Sequence, residues 1–64
     1  MAWVIESVAL PKIWITESRG LTPYDITFQL TRAERFLCQE DAKHEMLRLG
    51  LGGQWFAQEH RGLA

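Results

Sequence analysis

A single cysteine, Cys38, stands in a chain of 64 residues. With no second thiol there can be no intramolecular disulfide, and a chain this short lies near the lower limit at which apolar burial alone sustains a fold. Whatever forms must be held by large, well-packed side chains. Three tryptophans, three phenylalanines and a tyrosine are there to supply them, and 47% apolar against 23% charged residues marks a globular rather than a disordered chain. A lone thiol also suits a reducing cytosol.

Eight acidic and seven basic residues leave a net charge of −1, scattered without runs of one sign. That is not the basic field from which most nucleic-acid affinity comes, and it argues against a nucleic-acid partner. The opening "MAWVIESVALPK" has no basic leader, and Glu6 interrupts its apolar stretch. No apolar run approaches the length of a membrane span. The expectation is one complete domain, residues 1–64, cytoplasmic and with no membrane contact.

Local patterns order the elements. "WVIESVAL" and, after Pro11, "KIWITE" are rich in strand-favouring residues. Pro11 cannot donate to a ladder and belongs at the connection or at the start of the second strand. "SRGLTP" is turn chemistry. "YDITFQLT" then alternates, with Tyr24, Ile26, Phe28 and Leu30 on one face and Asp25, Thr27, Gln29 and Thr31 on the other. Thr31-x-x-Glu34 has the form of a capping box, which predicts a helical turn over 31 to 36. On a helical wheel, Ala33 and Phe36 fall away from the stripe of Cys38, Ala42, Met46 and Leu49, so a break near Leu37 separates that turn from a main helix over about 38 to 49. Gly50 suits the left-handed position after a helix, with Leu51 as the apolar contact of a Schellman motif. "QWFAQEH" reads as the last strand. The sum is a β-β-β-α-β order: a small α+β domain with an antiparallel sheet and one helix packed on one face.

The run "RFLCQEDAKHEM" gathers a cysteine, three carboxylates and a histidine. Cys38 falls at the helix N-cap with Asp41 at the third position, where serine and glutamate would be usual. A thiol there can be activated, but Glu40 and Asp41 oppose the thiolate. His44 lies about 9 Å further along the axis and about 120° around it, too far for a nucleophile–base pair. The spacing of Cys38, His44 and His60 matches no zinc motif. The plainer reading is a helix start and a solvated face, with no catalytic residues, metal or cofactor. "GLGG", after a helix and before a strand, is a cap and turn rather than a phosphate cradle. His60 is expected at the end of the last strand, solvated or at a sheet edge.

Both faces of the strands carry bulk, while one helix covers one face. If Ile13 and Ile15 point at the helix, Trp14 stands on the open face beside Lys12 and Thr16, with Val4 and Phe56 (or Trp55) nearby. Ordinary exposed apolar area would look the same, but aromatics clustered on an open face also make protein interaction sites and dimer interfaces. Trp14, Val4, Phe56 and Lys12 are the candidate partner-binding residues.

The combination of an aromatic-Val-Ile opening strand, a Trp-bearing second strand, Leu30-x-x-Ala33-x-x-Phe36, Asp41-Ala42 opening a helix that closes on Leu49, and a last strand ending Glu59-His60 resembles the short orphan accessory proteins of bacteriophages and prophages. The resemblance spans nearly the whole chain, each motif generic and the pattern specific only in combination. Such proteins usually carry Ser, Thr or Asp where Cys38 stands. The resemblance implies a non-enzymatic protein that binds and modulates a host or defence protein, inhibitors of CRISPR effectors being one such class. It brings no catalytic residues. The expected function is therefore protein binding through an apolar sheet face or edge, with a small nucleic-acid-binding module and a self-associating structural homodimer as alternatives.

Overall fold

The computed structural model describes residues 2 to 9, 12 to 18 and 20 to 62. Pro11, expected to join the first two strands, lies outside them. Four strands, β1 (Ala2–Ser7), β2 (Trp14–Thr16), β3 (Asp25–Thr27) and β4 (Trp55–His60), form one antiparallel sheet in the order β3-β2-β1-β4. A single helix, α1 (Gln39–Arg48), precedes β4. The β-β-β-α-β order and the α+β class read from the sequence hold.

β1 and β4 pair along their full length, from Ala2 opposite His60 to Ser7 opposite Trp55. β1 and β2 meet only at Glu6 opposite Trp14 and then diverge. The segment 33 to 36 fills the gap between them. Glu34 donates its N–H to the Ile15 carbonyl at 3.0 Å, and Phe36 exchanges backbone hydrogen bonds of 2.8 and 2.9 Å with Trp3. Every strand group that the divergence would orphan inside the sheet must find such a partner, because an unpaired buried amide is costly. Lys12, at φ 65°, makes the turn into β2 in the left-handed region.

This segment carries the chain through the sheet. Before it, a 3-10 turn (Leu30–Arg32) packs Leu30 against Ala2, Val4, Trp14 and Ala33. After it, Phe36 joins the opposite layer, where Ile5, Ile15 and Ala42 are surrounded by Trp3, Tyr24, Met46, Leu49, Leu51, Trp55 and Ala57. Tyr24 leads into one outer strand and Trp55 begins the other, yet their rings meet edge-to-face at 6.5 Å. The sheet is therefore curled around the helix side.

The helix boundaries follow local chemistry. Cys38 is the N-cap, with extended φ −146° and ψ 165°, but its side chain makes no capping bond. At the other end Gly50 takes φ 69°, donates to the Leu47 carbonyl at 3.1 Å, and lets Leu51 reach back to the Met46 carbonyl at 3.1 Å. That is the Schellman pattern expected there.

Two expectations fail. The capping box at Thr31 does not form: Thr31 sits inside the 3-10 turn, whose N-cap is Gln29, and the chain is extended again at Ala33. The alternation over 24 to 31 stops at Thr27. The Thr27 hydroxyl accepts the Gln29 N–H at 3.1 Å and bends the chain out of the ladder. Phe28 is left 71% exposed instead of buried under the helix. Ile26, opposite Ile15, does share the helix-side face, but α1 lies over β1 and β4 and leaves Ile26 half exposed.

Candidate functional site

The proposed open face is closed. Trp14 does point away from the helix, as the alternation with Ile15 implied, but it is 7% exposed and Val4 is fully buried. The 3-10 turn and Ala33 roof them over. One helix covers one face; the coil through the sheet covers much of the other. Trp14 and Val4 are thus core residues and offer no contact surface. Of the remaining candidates, Lys12 is exposed on its turn and Phe56 is half-buried opposite Glu6.

Glu6 explains how a tryptophan is buried here. Its Oε1 accepts the indole N–H of Trp14 at 2.9 Å, so the one polar atom of the ring is satisfied. The same oxygen lies 3.3 Å from His60 Nε2. His60, expected at a solvated or edge position, ends the edge strand β4 and also closes this cluster. Cys38 is exposed. Among the described residues, no three His, Cys, Asp or Glu side chains assemble as a metal site.

The surface features lie elsewhere, and one of them sits beside β3. A cleft of about 120 Å³ opens between the end of β2, the approach to β3 and one flank of α1. Among the described residues, Glu17, Glu34 and Glu45 line it together with Arg48 and the Tyr24 ring. Arg48 is already engaged: its Nε and Nη2 donate to the two Glu45 oxygens at 2.7 and 2.5 Å. That bond holds the Glu45 carboxyl below its ordinary value. Glu34 is pushed the other way, chiefly by burial, then by the charges of Glu45 and Glu17, with Arg48 only partly offsetting them. Among the described residues, then, the lining is rich in carboxylates and its arginine is already paired with one of them.

Ile26 and Phe28 stand on the β3 side of the molecule, 49% and 71% exposed. A second concavity, an apolar groove of about 330 Å³ lined by Lys43, Met46, Leu47 and Leu51, lies on the opposite flank of α1. Sequence reasoning missed both sets. It assigned Ile26 and Phe28 to the core because period two reports the face of a strand and not its distance from the helix. The Glu45–Arg48 spacing was legible as an (i, i+3) pair, but nothing local announces that Glu17 and Glu34 come to meet it.

No family model, curated protein or solved structure matches this chain. No helix among the described residues is long and apolar enough to cross a membrane.

Proposed function

We propose that this is a small non-enzymatic interaction protein that docks a protein partner on its β3 side, in the manner of the phage and prophage accessory proteins its sequence pattern resembles. One observation carries the reading. Two large apolar side chains, Ile26 and Phe28, are held in water at the edge of the sheet, 49% and 71% exposed. Exposed aromatics at a sheet edge supply contact energy to a partner rather than to the fold.

The neighbouring cleft adds selectivity. Among the described residues, three carboxylates beside one paired arginine favour a partner that offers a lysine or arginine beside an apolar contact, and they disfavour a phosphate backbone. The mechanism is occupancy: the partner's own surface is covered, and its activity changes because something else can no longer bind there.

Capture from a bacterial host lysate with the tagged chain tests this. Wild type is expected to retain a protein that an Ile26→Asp/Phe28→Asp variant loses, with both giving the same circular dichroism. Leu37→Asp, at a still more exposed apolar site outside the β3 edge, should retain it. A partner held equally well by the double variant would overturn the reading.

A further inference from the structure

We propose that the chain forms a two-fold dimer in which β4 pairs antiparallel with β4 of a second copy, centred on Ala57. The direction of the backbone groups is the starting point. Trp3 exchanges its bonds with Phe36, and Ser7 donates to the Ile13 carbonyl at 2.9 Å, so the odd residues of β1 face β2. The even residues therefore face β4, and Val8 continues the series by donating to the Gln54 carbonyl at 2.7 Å. On β4, Phe56, Gln58 and His60 point inward, and Trp55, Ala57 and Glu59 turn their N–H and C=O groups outward. Among the described residues, the exposed Gln58 side chain donates to the outward Glu59 carbonyl at 3.2 Å.

Such a row accepts only another extended backbone. Sheets usually guard it with a very short edge strand, a proline, a lysine or a bulge. β3, at three residues, is guarded by its shortness. β4 has six residues, an unbroken ladder behind it, and neither proline nor lysine.

The second copy fits this edge because the edge is symmetric about Ala57. In antiparallel register each outward residue meets an outward residue: Ala57 meets itself, and Trp55 meets Glu59. Glu59, the one carboxylate in the strand, faces an indole and never its own copy. A dyad normal to the sheet also keeps both helices on the same side. Glu45, Arg48 and Leu49 occupy the helix flank toward β2 and β3, so Lys43, Met46 and Leu47 occupy the flank toward the β4 edge. The dyad brings that apolar flank, with Leu47 80% exposed, against its equivalent. A strand pair alone buries less than the roughly 1,200 Å² of a stable interface, so in this dimer the apolar helix flank must add to it.

Light scattering after size exclusion, with amide hydrogen exchange on the same samples, tests this. Wild type is expected at twice the chain mass, with the Trp55, Ala57 and Glu59 amides exchanging at least about tenfold more slowly than in dilute monomer. Leu47→Lys is expected to raise the dimer dissociation constant about tenfold or more. Ala57→Pro deletes an outward N–H that the monomer does not use and should also yield monomer. A chain monomeric at millimolar concentration overturns the proposal, as does a dimer in which those three amides exchange freely or which survives Leu47→Lys. Should Ala57→Pro fail to fold, the wild-type exchange pattern still decides. Because Ile26 and Phe28 lie on the other edge, partner capture reads out separately from this dimer.

Discussion

Replacing Trp14 with alanine tests the closed face of the sheet most directly. The indole is 7% exposed and packs with Ala2, Val4, Ala33 and Leu30, so the truncation removes one of the largest apolar contributions in the molecule. Deletions of this kind cost about 3 to 5 kcal/mol when the cavity does not collapse. The roof here is a 3-10 turn pinned by the Thr16 hydroxyl to the Arg32 carbonyl at 2.7 Å, which limits collapse. Glu6 also loses the indole N–H. Its side chain is 23% exposed and keeps His60, so water and the imidazole replace part of that bond and the added cost is about 1 kcal/mol. A domain of this size has about 3 to 10 kcal/mol in total. Trp14→Ala should therefore be largely unfolded at 25 °C, whereas Trp14→Phe, which keeps one aromatic ring and loses the second ring with its N–H, should lose less, about 1 to 3 kcal/mol. Urea titration followed by far-ultraviolet circular dichroism separates the two. A Trp14→Ala protein that loses less than about 2 kcal/mol would mean that Leu30 and Ala33 do not cover this face in solution, and the roof would have to be abandoned.

Phe28→Ala should cost less than about 1 kcal/mol in the same titration, since a side chain 71% exposed leaves little cavity behind. Cys38→Ser should stabilise by up to about 1 kcal/mol, because serine supplies the capping bond that the thiol does not make, read as a rise in melting temperature. Glu34 carries a raised folded-state pKa, so its contribution favours the fold below its unfolded pKa and is lost as pH rises through the folded value. Glu34→Gln is accordingly expected to be more stable than wild type at pH 7, with the difference vanishing at acid pH. Glu45 has the opposite sign: its pairing with Arg48 favours the fold above its unfolded pKa and fades as pH falls through the lowered one, so Arg48→Met should lose stability at pH 7, with the loss shrinking as pH falls through that lowered value.

Helix α1 was legible almost to the residue because its signals are local: an acidic first turn, a stripe ending at Leu49, and Gly50 to release the backbone. The faces of β2 were legible too, since Ile13-Trp14-Ile15 alternates under any fold. What covers a face is not a local property. The assumption that only the helix could bury a strand face put Trp14 in water, when residues 30 to 36 pass through the sheet and roof it. The same blindness put Phe28 in the core, because its exposure depends on where β3 sits relative to α1. Likewise Glu17, Glu34 and Glu45 are 17 and 11 residues apart in sequence and meet only through the tertiary fold.

The pairing of Ala2 with His60 has a kinetic meaning as well. β1 lies inside the sheet, yet one of its neighbours is β4, more than fifty residues further along the chain, and the gap on its other side is filled by a segment from the middle of the chain. A structure dominated by such distant pairings closes its loops before it gains the contacts that reward them, which slows folding relative to a helical protein of equal length. Neither the first three strands nor the helix with β4 holds a complete core alone. Folding should therefore be a single late event, with relaxation rates that respond together to changes at Val4, Ile15 and Ala57, and a fragment ending before β4 should remain a coil.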